Sequence, residues 1–405
     1  MCLAGPFHAS TLGVVTLYDP YMPEIKQDPY PIYERLRAQS PVYYIERFDA
    51  WALASFEDIW AASQDGVHFS TCNATSDLAF LERQPAPFEA LSNMDPPEHT
   101  EARKLVFPLF GPRAARELAP SMRQWARTCL DRHADSGRID AVSQLAQQVA
   151  VRVACSVAGF RHEDADFLLD VVARFFRREE GTEGLTENGM KARAEMQDYL
   201  EEMARDAERR GRRDVAAGRF VEYLGGGADN IPRVAEHLTL LLVGATDTFP
   251  KVFASTLLRL WEHPDQRRAL VRDPSLIPMA ITEALRFDMP TQWLGRTVIH
   301  EIEFRGHKFR KGQPVLFLYP SGNRDEAEFD APDRFDIHRN APRILSFGHG
   351  VHRCLGAFMA RMEGQVLLEE LLARHPEYEV LTEECVRPAT EFVQGYSNLP
   401  IAFSN

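Results

Sequence analysis

Ten residues near the C-terminus, FGHGVHRCLG (Phe347–Gly356), stand immediately before a long apolar helical pattern. They set one cysteine, Cys354, among three glycines and ahead of a helix start. A helix N-terminus leaves backbone N–H groups unpaired and carries partial positive charge, which favours a thiolate over a thiol. Gly348, Gly350 and Gly356 lack a Cβ, so the backbone there can turn tightly and approach a bulky flat ligand. The stretch therefore builds an exposed soft anion on a rigid loop, and soft thiolates are ligands for iron and other transition metals. Zinc is the other metal to weigh, because His349, His352 and Cys354 lie close together. A closed zinc site needs a fourth nearby ligand, and none stands out. The usual fate of a lone cysteine is that of a small buried hydrophobe, and that reading suits Cys129 and Cys155.

The rest of the chain reads as a globular enzyme-sized body. Its 405 residues, 45% hydrophobic, can form one large core. A net charge of −13 gives no reason to expect nucleic acid or an anionic membrane as partner. The six cysteines show no CxxC and no framework spacing, which fits a reducing cytoplasm. No leader pattern and no apolar run of spanning length is present, so a soluble, unprocessed protein, with no fused redox domain, is expected. Without an internal linker or repeat, the expectation is a single domain over 28–405 preceded by an N-terminal segment, 1–27.

Periodicity predicts mainly α structure with small β-sheets. Strands are expected at PVYYIE and AWALAS, a long loop over 71–97, and mostly helix from His99 to about Arg268. NIPRVAEHLTLLLVGATDTFPKVFASTLLRLWEHP predicts one long helix, apolar nearly all round from Leu238 to Val243 and hence interior. After the cysteine loop, Leu355, Phe358, Met359, Met362 and Val366 share one helical face, and EFVQGYSNLPIAF reads as a hairpin.

FGHGVHRCLG resembles the haem-binding signature of the cytochrome P450 family, with Phe347, Gly348, Gly350, His352, Cys354 and Gly356 at the family's spacing. Further motifs stand in the family's order. DPPEHTEARKLV offers His99 and Arg103, four apart on one helical face, and WLGRTV offers Arg296. The resemblance implies that these three, with His352, hold the haem propionates. EALR gives Glu283 and Arg286, a pair worth only about 0.2–0.5 kcal/mol on a helix surface but a buried structural lock in the family. Arg334 of PDRF would be its third partner, with Arg339 of FDIHR as competitor.

GATDTF (Gly244–Phe249) resembles the oxygen-activation motif of two small residues, an acid and a threonine. Reductive splitting of dioxygen requires two protons in a dry pocket, and the resemblance gives Asp247 and Thr248 that relay and sets Ala245 against the haem. The bland reading of Asp247 is a salt-bridged helix acid, since an unpaired acid among apolar residues is costly. Phe249 and Pro250 depart from the pattern: Pro250 has no N–H for the carbonyl of Thr246 and should kink the helix.

The resemblance implies a single-domain P450 fold with iron protoporphyrin IX (heme b) between the long central helix and the Cys354 loop. The implied activity is monooxygenation of a small hydrophobic or aromatic substrate, by hydroxylation or oxidative dealkylation, using O2. Electrons would come from a ferredoxin and its NAD(P)H-dependent reductase, and the protein would be a cytoplasmic monomer. Lys104, Arg113, Arg116, Arg343, Arg353 and Arg361 would form a basic docking face. Pocket walls are expected from Leu78, Phe80, Leu81 and Phe88, from Val243 and Thr246 to Phe249, from Thr291 to Leu294 including Trp293, and from Phe392 and Val393. The rival readings are a haem-binding sensor or carrier without turnover, and a zinc or thiol enzyme using Cys354.

Overall fold

The computed structural model describes residues 17–84, 89–179 and 181–403, and helices dominate them. Phe88 lies outside the described residues. The strands are short: β1 Val42–Ile45, β2 Ala50–Leu53, β3 Phe69–Ser70, β4 Arg138–Asp140, β5 Leu294–Val298, β6 Ile302–Phe304, β7 His307–Phe309, β8 Pro314–Phe317, β9 Tyr378–Val380 and β10 Pro400–Phe403. One sheet runs β1-β2-β8-β5-β3 and a second β4-β10-β9. In the first, β2 and β8 pair in parallel, with Trp51 opposite Val315, and the other pairs are antiparallel. β6 and β7 join through Arg305 and Gly306, both at positive φ (51° and 77°), the conformation that a two-residue hairpin demands. The segment EFVQGYSNLPIAF is not a hairpin. Only its end forms a strand, β10, which pairs with β4 and β9, while 389–399 crosses as a loop bridged to Thr291 through Val393.

The helices share one hydrophobic core, and two smaller clusters flank the five-stranded sheet. Tyr18, Tyr21 and Ile25 are buried beside Ile32, Tyr33 and Leu36, so the described part of segment 1–27 is continuous with the body. The central helix, Ile231–Thr246, buries Ile231, Val234, Ala235, Leu238 and Leu242, a stripe at three- and four-residue spacing that carries it through the interior. It does not continue unbroken. A second helix, Phe249–Glu262, starts after a two-residue turn at Asp247 and Thr248. Pro250 is the physical reason, since it cannot bond to the Thr246 carbonyl.

A buried ion cluster ties the sheet side to the cysteine loop. On the helix Ile277–Phe287, Glu283 and Arg286 form a fully enclosed pair, Nε to Oε2 2.7 Å and Nη2 to Oε1 2.8 Å. Arg286 Nη1 also donates to the carbonyls of Asn323 and Pro332, both at 2.9 Å. The third side chain is Arg339, whose Nε reaches Glu283 Oε1 at 3.2 Å. Arg334 does not fill that place: its guanidinium is exposed on Asp336, and only its backbone carbonyl meets Arg286 and Arg339.

Removing one partner of a buried pair strands the other charge, which costs about 3–5 kcal/mol. Glu283→Ala is therefore expected to destabilise strongly in denaturant titration. Arg339→Ala is expected to cost about 1.5–3 kcal/mol, the range for a charged hydrogen bond, and Arg334→Ala less than about 1 kcal/mol. Equal losses in the two arginine variants would contradict this assignment.

Candidate active site

The Cys354 loop lies against the helix Phe56–Ala62 and leads into the helix Ala357–Arg374. Gly348 and Gly350 adopt positive φ, 64° and 72°, and a Cβ on Gly350 would stand 2.3 Å from the Ser63 carbonyl oxygen. These two glycines are needed for conformation and close approach. Gly356 is not: its φ is −80°, and it caps the following helix. Cys354 sits ahead of that cap rather than on the helix N-terminus. Its N–H donates to the Phe347 carbonyl at 2.7 Å. Burial pushes the Cys354 thiol up, against the opposing pull of the Gly356 N–H and of Arg103, Arg353 and Arg361. The sulfur is open to a cavity of about 490 Å³ while surrounding protein shields it from bulk water.

His99, Arg103, Arg296 and His352 are among the nitrogen-bearing side chains that line the same cavity. The His99 and His352 rings pack at a tilt of 42° with centroids 4.3 Å apart, and His352 Nε2 lies 3.3 Å from the Thr71 hydroxyl. Burial first, then the Arg103 cation, lowers His99 to about 4, and burial alone, against the pull of Tyr319 and Asp95, lowers Arg296 below its ordinary range. Arg103 Nη2 donates to the Arg353 carbonyl at 2.6 Å, and Arg296 Nη1 to the Gly295 carbonyl at 2.7 Å. Neither has a carboxylate within ion-pairing distance among the described residues, and His99 Nδ1 is buried with no partner. A buried and a half-buried guanidinium lacking counter-charge beside an orphaned imidazole nitrogen are a demand for anionic oxygens. A flat macrocycle with two carboxylates and a central metal for Cys354 fits this set. Zinc does not, because His349 turns away to stack on Trp60 at 3.4 Å, leaving the three proposed ligands ungathered.

The facing wall comes from the end of the central helix and the turn after it: Val243, Gly244, Ala245, Thr248 and Phe249 line the cavity. The Thr248 hydroxyl donates to the Gly244 carbonyl at 2.8 Å. Asp247 is not on the wall. Its Oδ1 pairs with Lys251 Nζ at 2.5 Å and its Oδ2 is buried without a hydrogen-bond partner among the described residues. Leu294, Thr291, Phe392 and Val393 join the lining. Leu78, Phe80, Leu81 and Trp293 do not, because they fill the cluster beside the sheet, Phe80 packed onto Gly295. Sequence periodicity could not separate the two fates, since both are apolar surroundings.

The cavity also holds residues with no sequence signal for that role, among them Tyr319, Phe110, Phe175, Phe176, Arg178 and Glu363. Glu363 faces inward from the helix after the Cys354 loop, with Oε2 buried and unpartnered, and burial pushes its carboxyl up to about 8.

The family model for cytochrome P450 matches residues 186–395. A putative cytochrome P450 123 of Mycobacterium tuberculosis is 32% identical over 387 residues, 95% of this chain and 96% of the relative. The 20-oxo-5-O-mycaminosyltylactone 23-monooxygenase of Streptomyces fradiae is 32% identical, covering 92% and 89% of the two chains. Among solved structures, CYP109E1 of Bacillus megaterium in complex with testosterone superimposes with a TM-score of 0.84 at 26% identity, over 95% of this chain and all of that one. The chain belongs to the cytochrome P450 monooxygenase family.

The state of Glu363 has a measurable consequence. Its carboxyl ionises near 4.5 when unfolded but stays protonated to about 8 when folded. Stability therefore falls as pH rises between those values, by at most about 1.4 kcal/mol per pH unit. Glu363→Gln removes that slope, so the variant is expected to gain thermal stability over the parent at pH 8 but not at pH 4.5. Parallel pH profiles of the two melting temperatures would show that the folded protein ionises Glu363.

Proposed function

We propose that this chain is a haem-thiolate monooxygenase that inserts one atom of O2 into a small hydrophobic or aromatic substrate, by hydroxylation or oxidative dealkylation. What carries the reading is the pairing within one cavity: a soft sulfur donor, and guanidiniums without counter-charge beside an orphaned imidazole nitrogen. Relatives named as a 23-monooxygenase and a vitamin D(3) 25-hydroxylase support oxygen insertion as the outcome. Haem, when bound, supplies the reductive activation of dioxygen at its iron. Cys354 Sγ would be its protein ligand, and His99, Arg103, Arg296 and His352 would hold its two carboxylates. Phe347, Gly348 and Gly356 shape the sulfur side, and Ala245 leaves room on the other.

The chain's remaining task is to position substrate and manage protons. Val243, Phe249, Leu294, Phe392 and Val393 exclude water from the reacting carbon. Thr248 Oγ1, parked on the Gly244 carbonyl, is the cavity-side proton carrier. Asp247 Oδ2 takes protons from behind the wall, with Lys251 holding the carboxylate in place. Electrons come from a separate ferredoxin served by an NAD(P)H-dependent reductase. Lys104, Arg116 and Arg353 are exposed and make no ion pair among the described residues, and would meet an acidic partner. Arg113, Arg343 and Arg361 contribute less than the sequence implies, being engaged by Glu117, by Glu328 and Glu57, and by the Phe347 ring. We place the enzyme in the cytoplasm, in keeping with the free thiols Cys72, Cys129, Cys155, Cys354 and Cys385.

Ferrous haem-loaded protein under carbon monoxide is expected to show the strongly red-shifted Soret band of a thiolate ligand. Cys354→His should keep the pigment and lose the shift; an unshifted band in the parent protein would overturn the reading. With a surrogate ferredoxin and reductase, Asp247→Asn is expected to slow product formation by about 10² or more, the lower range for a general acid. Thr248→Ala should convert NAD(P)H consumption from product to hydrogen peroxide, and unchanged coupling would remove Thr248 from the relay.

A further inference from the structure

One charged side chain of the cavity has no task in the scheme above. Arg178 follows the helix Ala165–Phe176 and lines the cavity with its side chain 13% exposed. Its Nε pairs with Oε1 of the buried Glu391 at 3.0 Å, and its Nη1 donates to the Phe176 carbonyl at 3.2 Å. Nη2 makes no hydrogen bond to any described residue. The neighbouring walls are apolar: Phe175, Phe176 and Leu185 on one side, Phe392 and Val393 on the other. These walls belong to other elements than the Cys354 loop.

A guanidinium has five N–H donors in a rigid fork, and leaving some unused in an apolar enclosure is costly. We infer that Arg178 and Glu391 form a polar subsite for a neutral hydrogen-bond acceptor, such as a ketone, ester or hydroxyl oxygen, on an otherwise apolar substrate. The inference rests on the cavity being the substrate site of the proposed monooxygenase. Charge selects the neutral class. Glu391 already balances Arg178, so a substrate carboxylate would bring an uncompensated anion into low dielectric. The subsite is also held firmly. The Phe392 carbonyl, next to Glu391, accepts from the Gln292 N–H at 2.8 Å, and the Gln394 N–H donates to the Pro290 carbonyl at 2.8 Å. The ion pair thus fixes the acceptor position relative to the wall that carries Leu294.

The test uses haem-loaded protein and three alkylbenzenes of matched length ending in methyl, methyl ketone or carboxylate, with dissociation constants measured by calorimetry. In the double variant Arg178→Leu, Glu391→Leu, which removes both charges together, the ketone is expected to bind about tenfold more weakly and the hydrocarbon to change less than twofold. In Glu391→Gln the carboxylate ligand should bind at least tenfold more tightly than to the parent, because Arg178 is then unbalanced. Equal changes for ketone and hydrocarbon, an indifferent carboxylate, or no binding by any of the three would overturn the subsite. The carbon monoxide spectrum is recorded on each preparation: a thiolate-type band with any of those results rejects the subsite alone, and its absence in the parent rejects the monooxygenase reading itself.

Discussion

The architecture depends on a charge pair that water never reaches. Glu283 and Arg286 satisfy each other and then spend their remaining valences on backbone that has no regular structure of its own. Arg286 holds the Asn323 carbonyl; Asn323 in turn accepts from the Leu345 N–H at 2.7 Å through Oδ1 and donates to Ser346 Oγ at 2.9 Å through Nδ2. Ser346 Oγ donates to the Leu285 carbonyl at 2.8 Å, closing the circuit back to the helix that bears the pair. Leu345 and Ser346 are the residues just before the cysteine loop. An irregular segment, which cannot define its path by helix or sheet hydrogen bonds, is thereby fixed immediately before the loop that carries Cys354.

The second constraint is electrostatic. A chain of net charge −13 concentrates unpaired positive groups at one place inside itself. That arrangement is unfavourable to folding taken alone, as the downward displacement of the Arg103 and Arg296 guanidiniums from their ordinary range indicates. Anionic groups placed among these cations would offset that cost, so the set suits carboxylates for the same reason that it burdens folding.

Much of this was legible in the sequence, and the reasons for success and failure are physical. The cysteine loop could be read because glycine, cysteine and histidine at fixed spacing have few competing explanations. The two-helix break was half legible: Pro250 announced a kink, and a salt-bridged Asp247 was one reading of the sequence, but neither told that the acid would turn from the cavity onto Lys251. Arg339 displaced Arg334 through the path of a loop, which no periodicity encodes. Phe80 and Trp293 went to the core and Phe175 and Phe176 to the cavity, and nothing in the side chains themselves distinguishes the two. Glu363 and Arg178 were invisible for the opposite reason, since single charged residues in helical or loop sequence look like ordinary solvated surface.

Gly395 shows how far the demands of the centre extend. It lies in the C-terminal crossing loop at φ 134°, and a Cβ there would come within 2.8 Å of the Lys251 Cβ. The loop thus rests its bare backbone on the stem of the lysine that anchors Asp247. A methyl group added at this outlying turn would press on the stem that carries the ammonium to Asp247, so the bareness of one loop residue and the placement of a buried acid are joined by want of room.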